Sequence, residues 1–236
     1  DKAFVFIDEG VQVENEDSGV EYINASASER GAKIEEIQNK YNLEEVLFDP
    51  GMLNAQLYQE LKDVFGPEAL IEKEGGVIEW QSIKEDVELQ AFRESFEKSD
   101  TAIFNTIKWV RENVSQNKSI SELDLYHETT KKYNEQGAVA QSFNTIAGAD
   151  ANGSIIHYGD PKADIILNDT SMVLLDSGGY FGAGFATDTT RTFMAGTKEG
   201  SAKQKEIYTL TLKGTLHLQN AVFKSGTRGS GLDAIA

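Results

Sequence analysis

Two aspartates in the second half of the sequence have the residue type and the placement of metal ligands. Asp176 directly continues the apolar run 172–175, and Asp188 lies in the middle of a strand predicted over 185–193. Aspartate is depleted in strands, and a buried carboxylate without a partner is destabilising. Two carboxylates on adjacent antiparallel strands also repel each other when they face the same side. A divalent cation would offset both effects, because carboxylate oxygens suit Mg, Mn and similar ions.

A simpler interpretation of the same residues stays open. Asp176 begins the stretch Asp-Ser-Gly-Gly, which is ordinary turn chemistry, and Asp188 could pair with the nearby Arg191. The spacing of two carboxylates does not decide between a turn with an ion pair and a metal centre.

His157 is the histidine with the most suitable surroundings for a role with substrate. An asparagine-glycine turn precedes a short strand predicted over 154–158, which places His157 on a strand. An imidazole there could donate to a substrate carbonyl or stabilise a developing oxyanion. A histidine hydrogen-bonded within the sheet is the structural alternative. His127 and His217 lie on predicted helices, and we expect them at the surface.

Composition excludes several classes of protein. The 236 residues carry 22 Lys and Arg against 39 Asp and Glu, a formal charge of −17, which argues against nucleic acid or an anionic membrane as partner. The absence of cysteine excludes disulfides and thiolate metal sites. No segment has the pattern of a membrane span or a signal peptide, so we expect a cytoplasmic protein.

Strands and helices alternate in the first third of the chain. Apolar runs predict strands at 3–7 and 46–48, and helical patterns predict helices after the capping-box spacing at 26–29 and over 53–65. This alternation indicates a compact α/β unit ending near 81–84.

The elements after this boundary must position the aspartates. A helical pattern over 84–114 could be broken near Ser99, and Ser119 to Glu122 caps another helix. The run 172–175 predicts a strand buried on both faces, a glycine-rich connection leads to the returning strand, and a helix is predicted over 201–223. The fold class is therefore α/β (α+β).

Four motifs in this half resemble those of the Xaa-Pro aminopeptidases, the aminopeptidase P branch of the pita-bread metallopeptidase family, which also holds prolidase, methionine aminopeptidase and creatinase. The motifs are SFNTIAGADANGSIIHYGDP at 142–161, LLDSGG at 174–179, TDTTRTF at 187–193 and LKGTLHLQNAVFKSGTRGSGLDAIA at 212–236. The three-domain form of the family matches best. It implies that 1–82 is part of a creatinase-like non-catalytic domain and that 83–236 is part of the pita-bread catalytic domain. We therefore expect a sequence truncated at both ends relative to the family.

The resemblance also implies roles for the three candidate residues. Asp176 matches the family aspartate that chelates one metal ion, Asp188 matches the aspartate that bridges two ions, and His157 matches the histidine that contacts the substrate beside the scissile bond. The two aspartates are 188 − 176 = 12 positions apart, whereas eleven are usual in the family. We expect a longer loop or bulge to absorb the extra residue.

The family completes its metal site with one histidine and two glutamates that lie beyond the last motif of this sequence. Glu206 and His217 cannot replace them, because they are about 16 Å apart along one predicted helix. The chain alone is therefore expected to be inactive.

For the complete protein the resemblance implies a metal-dependent aminopeptidase that removes the residue preceding proline from the N-terminus of peptides. It would bind two divalent ions, with manganese expected and cobalt or zinc as alternatives, and a hydroxide between them would attack the scissile carbonyl. Proline-containing peptides and a second copy of the chain, as a homodimer, are the expected partners. A prolidase- or creatinase-type hydrolase and a non-catalytic pita-bread binding protein stay open as alternatives.

Overall fold

The computed structural model describes residues 3–8, 10–11, 19–182 and 184–236, without the side chain of Val77. The chain divides into two compact units, Asp1–Lys84 and Glu85–Ala236. Within the described ranges, no helix is both long enough and apolar enough to cross a membrane.

The first unit is built from two pairs of parallel strands and their helices. Strand β1 pairs with β2, and β3 pairs with β4. In chain order its elements are β1 (Ala3–Ile7), β2 (Val20–Asn24), α1 (Arg30–Tyr41), β3 (Val46–Phe48), α2 (Ala55–Phe65), a 3-10 turn (Pro67–Ala69), β4 (Leu70–Glu72) and α3 (Gly76–Ser82). The predicted strands at 3–7 and 46–48 are confirmed, and a helix follows each of them, as predicted, but β2, β4 and α3 are additional elements.

Helix α1 begins later than the capping-box spacing predicts. The Ser26 backbone N–H and hydroxyl both donate to Glu29 Oε2, at 3.0 and 2.6 Å, but these contacts close a turn that precedes the helix. The helix begins only at Arg30. The spacing located the contact correctly and misplaced the first helical residue.

The second unit packs two helices against a three-stranded antiparallel sheet in the order β6-β7-β9. Its elements are α4 (Asp86–Ser115), α5 (Glu122–Glu135), β5 (Ala140–Gln141), β6 (Ile146–Ala149), a 3-10 turn (Asn152–Ser154), β7 (Met172–Ser177), β8 (Gly179–Tyr180), β9 (Thr189–Met194), α6 (Ala202–Gln219) and α7 (Gly229–Asp233). Strand β5 pairs with β8 beside this sheet.

Helix α4 runs for 30 residues without the break expected near Ser99. Ser99 is fully buried, and its hydroxyl is 2.9 Å from the Tyr133 hydroxyl of α5. The serine is therefore a small residue at the α4–α5 contact, which explains why a polar residue there leaves the helix intact.

The core of the second unit lies between these helices and one face of the sheet. Val110 of α4 and Leu125 of α5 pack with Ala147 of β6 and Val173 of β7, and all four side chains are fully buried. Helix α6 has no buried residue and ends at Gln219, four residues before the predicted end.

Candidate metal centre

Asp176 projects from the less buried face of β7. Val173, Leu175 and Ser177 are buried, whereas Asp176 is half-buried. The prediction of a strand buried on both faces is therefore wrong for the Asp176 face, because the fully buried core, which contains Val173, lies on the other face. The Thr190 hydroxyl donates to Asp176 Oδ1 at 2.7 Å and fixes the orientation of the carboxylate.

Asp188 lies one residue before β9, so the prediction that it sits in the middle of a strand is wrong. In the β7–β9 ladder Asp176 is opposite Thr190, and Ser177 is opposite Thr189. Side chains alternate along a strand, so Asp188, two residues before Thr190, lies on the same face as Asp176. The twelve-residue separation therefore leaves both carboxylates on one side of the sheet.

Thr187 anchors the backbone beside Asp188. It is fully buried; its N–H donates to the Gly179 carbonyl at 3.0 Å, and its hydroxyl accepts from the Gly179 N–H at 3.0 Å. Its carbonyl accepts from the Ser142 hydroxyl at 2.7 Å. This carbonyl approaches Gly178 so closely that a Cβ there would lie 1.8 Å from it. These contacts tie Thr187 to β8, which explains why β9 starts only after Asp188.

The two carboxylates affect each other electrostatically. The pKa of Asp188 is raised, first by partial desolvation, then by the negative charge of Asp176 and by a hydrogen bond between the two carboxyl groups. The direction of this shift means that the fully ionised pair is unfavourable in the absence of a cation.

The alternative in which Asp188 pairs with Arg191 is not what the structure shows. Arg191 Nη1 donates to the Thr190 carbonyl at 2.9 Å, and Arg191 lies on the opposite face of β9 from Thr190. Within the described part of the chain, no ion pair joins Arg191 to Asp188 within 4.0 Å. The mutual repulsion of the aspartates is thus not offset by this arginine.

Two carboxylates on one face, with the pKa of Asp188 raised by partial desolvation and by the charge of Asp176, fit a pair of donors for a hard divalent cation. In the ranges that the structure describes, no group of three or more His, Cys, Asp or Glu side chains could hold a metal ion. Asp176 and Asp188 therefore form a two-residue donor set, to which further ligands must be added to complete a metal site.

His157 lies in a turn, and the strand predicted over 154–158 is absent. The 3-10 turn Asn152–Ser154 is followed by a bend, and His157 adopts a left-handed conformation with φ of 55°. The reason is tertiary, because the neighbouring Tyr158 is buried and hydrogen-bonded to Glu122 at 2.9 Å, which pulls the chain out of an extended path. The imidazole is exposed, and in the described residues no hydrogen bond joins it to Asp176 or Asp188. His127 and His217 are exposed, as expected.

Sequence reasoning missed the residues that support the aspartates. Thr187, Thr190 and Gly178 belong to the quoted motifs, but nothing in their types singles them out from ordinary strand and turn residues. Ser142, 45 positions before its partner Thr187, is the first residue of another quoted motif, but its type does not single it out either. Their roles depend on contacts between elements that are distant in the sequence.

The second unit matches a known family. Residues 90–236 match the sequence model of a protein family that is described as metallopeptidase family M24. A probable Xaa-Pro aminopeptidase P of Arthroderma otae is 35% identical over 176 residues, which are 72% of this chain and 27% of that protein. Aminopeptidase P2 of Arabidopsis thaliana is 36% identical over 162 residues, which are 67% of this chain and 22% of that protein. The chain spans about a quarter of the length of these relatives.

Solved structures show the same fold. An Xaa-Pro dipeptidase from Bacillus anthracis has a TM-score of 0.73 at 24% identity, over 92% of this chain and 57% of that one. An X-prolyl aminopeptidase from Caenorhabditis elegans has a TM-score of 0.69 at 23% identity, over 92% of this chain and 35% of that one. The predicted α/β (α+β) pita-bread class and the resemblance to Xaa-Pro aminopeptidases are confirmed. The chain belongs to metallopeptidase family M24.

Proposed function

We propose that the complete protein is a metal-dependent aminopeptidase that removes the N-terminal residue from peptides with proline in the second position. The observation that carries the proposal is the placement of Asp176 and Asp188 on one face of the β7–β9 ladder, with the pKa of Asp188 raised. The names of the curated relatives support the substrate class, and family membership supports the reaction type.

In this proposal 1–82 is a creatinase-like non-catalytic domain and 83–236 is part of the pita-bread catalytic domain. The C. elegans enzyme is described as cytosolic with a di-nuclear active site, which supports a cytoplasmic location and two divalent ions here. We infer manganese as the metal, with cobalt or zinc as alternatives, and a homodimer as the assembly. Ligands from outside the described residues would complete the site.

The proposed mechanism assigns a distinct task to each residue. Divalent ions, when bound, would act as Lewis acids and lower the pKa of water. Asp176 and Asp188 would hold these ions through carboxylate oxygens, and Thr190 would fix the orientation of the Asp176 carboxylate through the 2.7 Å hydrogen bond. His157, exposed at the end of its turn, would bind the substrate beside the scissile bond and donate to the oxygen on which negative charge develops.

The test compares Asp176→Asn and Asp188→Asn with the control Asp63→Asn, an exposed aspartate of α2. In the complete protein we expect Asp176→Asn and Asp188→Asn to remove bound metal and to lower cleavage of an Xaa-Pro-Xaa peptide by more than about 100-fold. Even substitutions of residues that only hydrogen-bond to metal ligands cost about 10- to 100-fold in metal affinity or activity. The control should match the unmodified protein. Full metal content and full cleavage in either variant would refute the assignment.

The substrate panel separates the remaining alternatives. Cleavage of Xaa-Pro dipeptides but not of longer peptides would indicate a prolidase, and turnover of creatine would indicate a creatinase-type hydrolase. Absence of both bound metal and cleavage in the unmodified protein would refute the enzyme and favour a non-catalytic binding protein.

A further inference from the structure

Glu122 is a fully buried carboxylate at the first position of α5. Its Oε1 accepts from the Ala149 backbone N–H at 2.8 Å and from Asn152 Nδ2 at 3.0 Å. Its Oε2 accepts from the Tyr158 hydroxyl at 2.9 Å and from the Lys162 backbone N–H at 3.1 Å. Nothing in the proposed mechanism uses this group, although it is among the largest fully buried side chains of the chain.

The chemistry of these partners requires a carboxylate. All four are neutral donors, and together they occupy the acceptor positions of both oxygens. An amide at this position would turn an NH2 group toward donors and leave at least two of them without a partner. Hydrogen bonds to a charged group are also about twice as strong as neutral ones. The site is therefore specific for glutamate and does not merely tolerate a polar residue.

The four donors enclose the segment that carries His157. Ala149 ends β6, Asn152 begins the 3-10 turn, Tyr158 follows His157 directly, and Lys162 lies beyond it. Asn152 Nδ2 also donates to the Tyr158 hydroxyl at 2.9 Å, which closes the loop around the histidine.

Two further features restrict the conformation of this loop. A Cβ at Gly148 would lie 2.9 Å from the Gly153 N, so the 3-10 turn rests directly on the backbone of β6. The left-handed conformation of His157 is costly for a residue with a side chain, and it persists only where surrounding contacts enforce it. Burial and the hydrogen bond to Glu122 raise the pKa of Tyr158 to about 12, so its hydroxyl keeps the proton that it donates.

We propose that Glu122 is a positioning residue for His157, acting through Tyr158 and Asn152. It sets the position and direction of the imidazole by fixing both ends of the loop to the start of α5 and the end of β6. This inference rests on the proposed function for its catalytic consequence, but the structural coupling of Glu122 to His157 can be measured independently of activity.

The catalytic test is a double-mutant cycle in the complete, metal-loaded protein with an Xaa-Pro-Xaa peptide. Tyr158→Phe removes one hydroxyl without leaving a large cavity, and Glu122→Gln replaces one oxygen by a donor. We expect losses in kcat of about 10-fold and of 10- to 100-fold, respectively, since misplacement of a catalytic group by about 1 Å can cost 100-fold. In a His157→Ala background each substitution should change kcat by less than about 2-fold. Losses of equal size in both backgrounds would overturn the inference.

Thr129→Val is the matched control. It also removes a buried hydroxyl from α5, but this hydroxyl donates to the Leu125 carbonyl within the helix at 2.7 Å rather than to Glu122. We expect it to lower stability and leave kcat unchanged. A loss of kcat in Thr129→Val equal to that of Tyr158→Phe would show a general effect of stability and would overturn the inference.

The second readout does not depend on activity. The imidazole resonances of His157, assigned by their loss in His157→Ala, should shift in Tyr158→Phe and not in Thr129→Val, with metal content unchanged. Unshifted resonances in Tyr158→Phe would overturn the inference even where Glu122→Gln fails to fold. Full cleavage by His157→Ala would instead refute the substrate-binding role of His157 in the proposed function. In that case the imidazole resonances alone would test whether Glu122 and Tyr158 position His157.

Discussion

Gly178→Ala tests whether the close approach of the Thr187 carbonyl to Gly178, between β7 and β8, sets the position of Asp188. A Cβ at residue 178 would lie 1.8 Å from the Thr187 carbonyl oxygen and 2.3 Å from the Ser142 hydroxyl. Since Cβ contacts below 3.0 Å essentially never occur, the Thr187 carbonyl oxygen must move by at least about 1.2 Å, which is 3.0 − 1.8 Å. The atom that must move belongs to the backbone directly before Asp188, so a side-chain rotation cannot relieve the overlap.

The size of the effect follows from the bonds that this movement breaks. The Ser142–Thr187 bond at 2.7 Å and the two Thr187–Gly179 bonds at 3.0 Å cannot all survive it. Each is worth about 1 kcal/mol net, and overpacking adds about 1–3 kcal/mol. We expect the free energy of unfolding of the second unit to fall by about 3–5 kcal/mol, a large part of the total for a typical domain.

Tryptophan fluorescence can report on this unit alone. The chain has two tryptophans, and Trp80, 70% exposed in α3, can be replaced by phenylalanine, which leaves Trp109 of α4 as the reporter. We expect the urea midpoint of Gly178→Ala to fall by about 2 M at a typical slope of about 2 kcal/mol per M. Gly182→Ala, in the same connection but with nothing within 4 Å of the added Cβ, should leave the midpoint nearly unchanged. Equal midpoints for the two variants would refute the reasoning.

Two other predictions concern charge. The pKa of Tyr158 is about 12 in the folded state and about 10 in the unfolded chain, so between these values the folded state keeps a proton that the unfolded state loses. The contribution of Tyr158 to the free energy of unfolding is therefore complete below pH 10 and is lost as the pH rises from 10 to 12. The difference in the free energy of unfolding between the unmodified chain and Tyr158→Phe should therefore shrink by about 2 kcal/mol over this range, and a constant difference would contradict the assignment. Asp188→Asn should stabilise the metal-free chain at neutral pH, because it removes repulsion with Asp176, while it lowers metal affinity; a lower melting temperature in chelator would count against this.

The start of a helix was predictable only where the capping contact forms at the predicted residues. Ser201 caps α6 as its spacing with Gln204 indicates. The capping spacing from Ser119 to Glu122 lies two residues before the real cap of α5, because Ser121 is the N-cap and its hydroxyl accepts from the Asp124 backbone N–H. Ser26 satisfies the same spacing but closes a turn, and α1 starts after it. The same-face placement of the aspartates also follows from the alternation of a strand once the register is known, but the sequence does not contain the register.

The conformation around His157 was not predictable, because a residue 35 positions earlier determines it. Ile155 and Ile156 favour a strand by their type, and the bonds from Tyr158 and Asn152 to Glu122 override this preference. Glu122 itself resembles any acidic residue in the first turn of a helix. Only its complete burial distinguishes it, and burial depends on packing between β6, α5 and the loop.

The ladder between β7 and β9 has a consequence for comparing sequences. The interval between Asp176 and Asp188 is spanned by a connection whose two ends are fixed by Ser177 opposite Thr189 and by Tyr180 bridged to Ala186. Residues can be gained or lost between those fixed ends while the pairing, and with it the shared face, stays the same. A search pattern that demands a constant number of residues between the two aspartates would reject chains of this kind. A pattern that instead requires both aspartates to lie on the same face of the two paired strands would retain them.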